Sequence, residues 1–378
     1  MKKILSIALL FAGIQASAQT AEFDRVVSSV MDSLTNISTL SRGFRSEVMA
    51  LEAENRLSGP EAGFEYKWPQ QRGAENRWGL ELTQEFEWPG IYGARRRAAS
   101  ELRQLAAAST EQSRQWLRYE VSDRLLRLIE ARQRLALLNE VEANLSQVVD
   151  RLTEMLAGGQ TTVLDLRKAE FELLAVKEKI ASAQADSNRL RASIAFGQFI
   201  PEGIDELTEF PEHGLEIPQD GPEEIEATAE AARSRLRAQI EQMKRMPSFS
   251  VGYLHDFEEG VHFNGLSIGI TLSDFGAGKS AKAAELEAET AQMKREEARA
   301  MRNVEVAANI AEAARLTTVL AEYDKALSQS DYLRLLKKSF DAGQITLTQY
   351  LLDQNWYLTT RLDHLALRLR LLRLSGAV

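Results

Sequence analysis

The sequence predicts a mainly α-helical chain, in which long coiled-coil helical hairpins are joined to four β-strands with membrane-type apolar faces. Three observations carry that expectation. Two stretches of 64 residues each, 94–157 and 279–342, contain neither glycine nor proline. Each follows two short segments in which apolar and polar residues alternate, the period of a two-faced strand. The glycine-to-glycine interval is also the same in both halves, 65 positions from Gly93 to Gly158 and 65 from Gly278 to Gly343. At ~1.5 Å rise per residue, a helix of 64 residues is roughly 95 Å long.

The chain has 378 residues, a formal net charge of −9 and no cysteine. Disulfides, thiolate metal sites and a lipid-modified N-terminal cysteine are therefore excluded. Residues 1–18 read as an export leader: Lys2 and Lys3, an apolar run from Ile4 to Ile14, and Ala16-Ser17-Ala18 before Gln19. Past it, no window supplies the ~18 uncharged apolar residues that a membrane-spanning helix needs. Entry into a bilayer would have to be by strands. The acidic balance argues against nucleic acid, because phosphates need clustered cations to neutralise them. Arg95-Arg96-Arg97 is the one basic cluster, and it reads as the solvated or headgroup-facing start of a helix.

In order, residues 21–57 read as a helix, with Val26, Val27, Val30, Met31, Leu34 and Ile37 at spacings of three and four. Ser58-Gly59-Pro60 ends it. Phe64, Tyr66 and Trp68 then alternate with Glu65 and Lys67, and Arg77 to Trp88 alternates likewise, which makes a hairpin. Its outer face would carry Phe64, Tyr66, Trp68, Trp78, Leu80, Leu82, Phe86 and Trp88, and its inner face Glu65, Glu81, Thr83, Glu85 and Glu87. Aromatics near strand ends are the girdle pattern of membrane barrels. The first rod carries Leu138, Val141, Leu145, Val148, Leu152 and Met155 at heptad spacing, a seam that supercoils with neighbours. A shorter return helix follows Gly158-Gly159 and ends near Phe196.

Residues 201–222 hold four of the eight prolines and read as a linker or small lateral segment. The plan then repeats. A helix over 223–246 leads to a strand marked by Phe249, Val251, Tyr253 and Phe257. Leu266, Ile268, Ile270 and Leu272 mark the fourth strand, and the second rod and its return helix follow. All eight prolines fall between proposed helices, as expected when an interior proline costs roughly 3 kcal/mol. The organisation expected is thus a leader at 1–18, a first repeat over 19–200, an intervening segment at 201–222, and a second repeat over 223–378. The hairpins lie at about 62–88 and 247–273, and the helical hairpins at 91–197 and 276–375.

Four strands cannot close a membrane barrel, since the smallest need about eight. An open edge in hydrocarbon leaves backbone groups unsatisfied, so several chains would have to share one barrel. At this point the sequence resembles the outer-membrane efflux protein family, the TolC-like channels, over essentially all of the chain past the leader. The resemblance rests on Phe86-Glu87-Trp88-Pro89-Gly90 running into Ala94-Arg95-Arg96-Arg97-Ala98-Ala99, and on Pro247-Ser248-Phe249-Ser250-Val251-Gly252-Tyr253. It rests equally on the paired turns Ala157-Gly158-Gly159-Gln160-Thr161-Thr162-Val163-Leu164-Asp165 and Asp341-Ala342-Gly343-Gln344-Ile345-Thr346-Leu347-Thr348-Gln349.

The resemblance implies a homotrimer whose pooled strands form a twelve-stranded barrel continuous with an α-helical periplasmic tunnel. It implies an outer-membrane location, and partners in a periplasmic adaptor (membrane fusion) protein and an inner-membrane pump. The tip positions expected to meet the adaptor are Gly159, Thr162, Gly343 and Thr346. A tunnel constriction is expected at Asp165 and Asp353, with Gln349 standing where the family often has an acid. The barrel's lipid face would present Tyr66, Trp68, Trp78, Phe86, Trp88, Phe249, Tyr253 and Ile268. No cofactor is implied, and the duct would be passive. The cargo is open between small molecules, drugs, metal cations and peptides.

Other chemistries find little support. Gly278-Lys279-Ser280 resembles the end of a phosphate loop, but Ser273 stands where that motif needs glycine. The four histidines, 213, 255, 262 and 364, include no pair at helical ligand spacing, and no catalytic triad or carboxylate pair emerges from spacing, so neither a metal site nor an enzyme is expected. The rival reading is a secreted or periplasmic coiled-coil structural or adaptor protein, which explains the rods but not the aromatic strand faces.

Overall fold

A computed structural model describes residues 20–34, 36–68, 70, 76–258, 260–272, 276–328 and 331–374, excluding the side chains of 36–41. The expected leader lies outside the described residues. The elements in order are helix α1 over 20–33, α2 (Asn36–Glu54), strands β1 (Glu61–Lys67) and β2 (Arg77–Phe86), and α3 (Pro89–Ala157). Then follow α4 (Val163–Ser193), a 3-10 turn at Ile204–Glu206, and α5 (Pro222–Met243). Strands β3 (Ser248–Glu258) and β4 (Val261–Thr271), and helices α6 (Ala277–Leu327), α7 (Tyr332–Asp341) and α8 (Leu347–Leu374), complete the described chain.

Two compact units result. One draws on the chain up to Leu34, on Gln115–Gln219 and on Asn303 onward; the other on Thr35–Arg114 and Asp220–Arg302. Each therefore takes segments from both halves.

The second of these units holds the sheet. Its order is β1-β2-β3-β4, and every neighbouring pair is antiparallel. Beside it, Val48 of α2, Ala94, Ala98, Ala99 and Leu102 of α3, and Leu236 and Ile240 of α5 form one apolar cluster. The alanines allow the helices to approach closely. Pro89 and Pro222 each occupy the first turn of a helix, where the missing N–H costs nothing.

The other unit is a helical bundle. Leu138, Val141, Leu145, Val148 and Leu152 of α3 are buried against Ala169, Val176 and Ala183 of α4, and against Leu333, Leu336, Leu347, Tyr350 and Leu358 of α7 and α8. This is the heptad seam, now filled from three other helices. The end of α8 is tied down by an ion pair from Arg373 to the buried Asp123 of α3, which also pairs with Arg127 at 2.9 Å.

Two expectations need correction. The helix expected over 21–57 is two helices, with Leu34 non-helical between α1 and α2. The local run Ser33-Leu34-Thr35-Asn36 is rich in side chains that compete with the helix for backbone hydrogen bonds. The second rod is likewise divided, into α6 and α7, around the serine- and aspartate-bearing stretch Ser328 to Asp331. Absence of glycine and proline is thus not sufficient for one continuous helix. Of the two readings of 201–222, linker or small lateral segment, the packing favours the second: Pro201, Ile204, Leu207, Phe210, Pro211 and Leu215 are buried. Arg132 of α3 anchors the segment by donating to the carbonyls of Ile204 (2.6 Å) and Leu207 (2.9 Å), and Asp205 pairs with both Arg132 and Arg191.

Candidate functional site

The strand register sorts the sheet into two chemically different faces. Phe64 pairs with Leu80, Tyr66 with Trp78, Leu82 with Tyr253, Phe86 with Phe249, and Val251 with Ile268. Side chains directly opposite share a face. One side is therefore almost wholly apolar, and it is bare: Ile268 is 81% exposed, Leu266 80% and Phe64 67%. Aromatic contacts cluster at both ends of that face. Near the helices, Trp88 and Phe249 have ring centroids 6.0 Å apart; at the far end Trp78 stacks on Phe257 at 5.8 Å and Tyr66 approaches Trp68 at 6.4 Å. Trp68 and Trp88 lie just beyond their strands.

Gln84, the polar exception on β2, donates to the carbonyls of Ser58 (2.7 Å) and Glu85 (2.9 Å), so its amide is satisfied. His255, Asn264 and His262 interrupt the apolar face near the β3–β4 turn.

The opposite side carries Glu61, Glu65, Glu81, Glu85, Asp256 and Glu258 among glycine, serine and threonine. Leu254, Val261 and Phe263 are its larger apolar members. Lys67 pairs with Glu65 at 2.9 Å and Arg77 with Glu258. Glu61, Glu81, Glu85 and Asp256 have no cation beside them among the described residues, which leaves this face acidic.

Glu87 does not belong with them. Its carboxylate accepts a bidentate pair from Arg95, with the Nη2 bond at 3.0 Å, and Arg95 also donates to the Glu54 carbonyl at 2.8 Å. Arg95 is only 5% exposed. The expectation of a solvated basic cluster therefore fails for Arg95 and holds for Arg96 and Arg97, which are exposed. The physical reason is position: Arg95 lies on the same side of α3 as Ile91, Ala98, Ala99 and Leu102, which are buried.

The edges of the sheet are as informative as its faces. In this chain β1 and β4 each pair on one side only, so each presents a row of unused backbone donors and acceptors. Every residue of β1 is exposed.

At the tips of the helical hairpins, two turns have matching hydrogen bonds. Gly159 and Gly343 both adopt φ 70°, the left-handed conformation that favours glycine. Gln160 N–H donates to the Met155 carbonyl (2.8 Å) and Gln344 N–H to that of Ser339 (2.9 Å), the six-residue closure of a Schellman end. Beyond each turn a threonine caps the next helix. Thr162 Oγ1 accepts from Asp165 N–H at 3.1 Å, and Thr346 Oγ1 from Gln349 N–H at 3.2 Å.

The acidic candidates are both engaged: Asp165 Oδ2 accepts from the Thr162 hydroxyl at 2.7 Å, and Asp353 Oδ1 from Gln349 Nε2 at 2.9 Å. Gln349 thus reaches along its own helix to the aspartate rather than standing alone. Arg151 joins the two tips, donating to the Asp341 carbonyl at 3.0 Å. A cleft of about 390 Å³ between them is lined by residues that include Met155, Asp165, Phe340 and Thr346. Beneath it Tyr350 is fully buried, and burial, with Asp341 adding, pushes its hydroxyl up to about 12.

Among the described residues no helix is long and apolar enough to cross a membrane. Solved structures match the backbone over most of the chain. A membrane protein from Pseudomonas aeruginosa gives a TM-score of 0.73 at 17% identity, covering 94% of this chain and 90% of that one. The outer membrane protein VceC of Vibrio cholerae gives 0.73 at 15% identity, over 94% and 95% of the two chains. The outer membrane channel CmeC of Campylobacter jejuni gives 0.69 at 13%, over 94% and 84%. No protein-family model matches the sequence, and no curated protein matches it significantly. At these identities the likeness establishes the fold alone, long helices with a four-stranded antiparallel sheet.

Proposed function

We propose that this chain is the outer-membrane channel component of a tripartite efflux or type I secretion system, a passive exit duct assembled from three copies. One observation carries the reading. A four-stranded sheet with one bare apolar face and two unpaired edges has no stable state in water, and lipid plus two further copies satisfies both defects at once. Three sheets of four strands make twelve, well above the minimum for closure. The acidic face then lines the lumen, and the helices stand in the periplasm. Residues 1–18 direct export to that compartment.

The matched turns around Gly159, Thr162, Gly343 and Thr346 are the proposed contacts with a periplasmic adaptor coupled to an inner-membrane pump. Asp165 and Asp353 are the proposed constriction. A coiled-coil fibre or adaptor leaves the bare sheet face without a purpose, so the channel reading is preferred.

The test is purification and reconstitution. The protein should require detergent, run as a trimer, and conduct ions in planar bilayers with a preference for cations. Glu81→Gln with Glu85→Gln should reduce that preference. Recovery as a detergent-independent monomer would overturn the reading. For the tips, the lack of cysteine makes Gln160→Cys or Gln344→Cys a unique cross-linking handle, expected to capture the adaptor, whereas a cysteine at exposed Arg189 on α4 should not.

A further inference from the structure

We propose that His255 and His262 form a two-imidazole site for a divalent transition-metal cation, on the apolar face of the sheet beside the β3–β4 turn. The proposal does not depend on closure of the sheet into a barrel, because both ligands come from one hairpin.

Register brings the pair together. His255 lies opposite Asn264 and His262 opposite Phe257, so the two histidines are diagonal neighbours on adjacent strands. Their rings stack with centroids 5.2 Å apart, and His262 Nδ1 lies 3.2 Å from His255 Nε2. Two imidazole nitrogens held at ~2.05 Å by one tetrahedral metal are about 3.3 Å apart. The nitrogens are thus already at the spacing that a shared cation would impose.

The neighbours settle which nitrogen is available. Tyr253 donates its hydroxyl to Asn264 Oδ1 at 2.5 Å, and His255 Nδ1 lies 2.8 Å from the same oxygen. That oxygen only accepts, so His255 carries its proton on Nδ1 and turns the lone pair of Nε2 towards His262. A ligand histidine whose other nitrogen donates to a carbonyl is the usual outer arrangement of a metal site, fixing both tautomer and ring orientation. Without metal, His262 donates its Nδ1 proton to His255 Nε2. On binding, that proton moves to His262 Nε2 through solvent, so both lone pairs meet the cation and no net proton is released.

Aromatic neighbours hold the rings in place. Trp78 lies 5.6 Å from the His255 ring and 6.4 Å from that of His262, and Phe257 lies 4.9 Å from His262. Among the described residues no group of three or more histidine, cysteine or carboxylate side chains converges, so water completes the coordination and the cation exchanges readily. Imidazole ligation selects zinc, copper or nickel over magnesium or calcium, and Cu²⁺ binds such donors most tightly.

Trp78 serves as the reporter, because a bound Cu²⁺ quenches a nearby indole. The full chain, purified in detergent and without a polyhistidine tag, is titrated with Cu²⁺ while tryptophan emission is followed, and with Zn²⁺ by calorimetry. The expected result is saturable binding of one cation per chain by both methods. Trp78→Phe should remove most of the Cu²⁺-dependent quenching while leaving the Zn²⁺ heat in place. His262→Leu should weaken binding at least 10-fold, and Asn264→Leu about 10-fold, by releasing the tautomer of His255. His262 is exposed, so its substitution leaves the fold intact, and circular dichroism checks that. Equal titration curves for the native chain and the His262→Leu variant, or no saturable binding of either cation, would overturn the proposal.

Discussion

Adjacent glycines at the first tip give a test in which backbone conformation is the only variable. Gly159 sits at φ 70°, and a Cβ added there would meet nothing within 4 Å. The cost of Gly159→Ala is therefore purely the left-handed backbone, about 1–2 kcal/mol for an L-residue. Gly158 has no positive φ, and a Cβ there would make ordinary contact with the Met155 carbonyl at 3.6 Å. Gly158→Ala therefore keeps only the gain from a stiffer unfolded chain, about 0.4–1 kcal/mol, and that gain applies to both positions. The two variants should differ by about 1–2 kcal/mol in the stability of the turn.

The reporter is the Gln160 amide, which donates to the Met155 carbonyl across that turn at 2.8 Å. Hydrogen exchange there should be roughly 5- to 30-fold faster in Gly159→Ala than in Gly158→Ala, after correction for sequence effects. Gly343→Ala should act on the Gln344 amide in the same way. Equal exchange in the two alanine variants would show that the left-handed glycine is not what holds the tip closed, and the reasoning would fail.

Further outcomes follow from other residues. Arg95→Met removes the bidentate partner of Glu87 and should cost about 2 kcal/mol, less than the roughly 3–5 kcal/mol of a fully buried pair because Glu87 is partly exposed, whereas Arg96→Met should stay within about 0.5 kcal/mol. Equal denaturant midpoints for the two variants would sink that contrast. At Asp205 the hydrogen bond from Arg191, then the charges of Arg191 and Arg132, hold the carboxyl below its usual range. Its folded value lies below the unfolded one, so its stabilisation is present above pH ~3.9 and is lost as pH falls through the folded value. Asp205→Asn should flatten the acid limb of stability measured between about pH 2 and 6, and an unchanged limb would count against the pairing. Gly252→Val would drive a Cβ into Ser267 Oγ and to 2.9 Å from Thr83 Oγ1, and should lower the yield of folded sheet, with Ser267→Gly together with Thr83→Gly restoring it. Failure of that rescue would mean the crowding lies elsewhere.

What could be read from the chain alone depended on whether the signal was local. The strands are legible because alternation and turn residues act within a dozen positions, and the two tips because glycine, glutamine and threonine specify a reversal and a cap in order. Pairing between β2 and β3 is not written locally, since Leu82 meets Tyr253 from the other half of the chain. His255 and His262 are only seven positions apart, but helical ligand spacing says nothing about a diagonal across a hairpin. Prolines in 201–222 left a linker and a small lateral segment both open, and Ile204, Leu207 and Phe210, three residues apart and buried, favour the second. Arg95 misled for a different reason: neighbouring arginines look alike in sequence, and only the turn of α3 decides which one is carried inward. The division between α6 and α7 falls where no glycine or proline stands, beside Ser328, whose hydroxyl donates to the Lys325 carbonyl.

The unpaired borders of the sheet bear on how the proposed assembly would count its members. Any copy offers the same two borders, so nothing in their chemistry tells a growing ribbon when to stop. In the proposed duct the halt would come from curvature: the ribbon would bend until its first and last strands meet, and the glycines on the acidic side, Gly63, Gly79, Gly252, Gly265 and Gly269, would keep that side thin. Bulk added there would flatten the ribbon and alter the number of chains in the ring, even though every border remained intact.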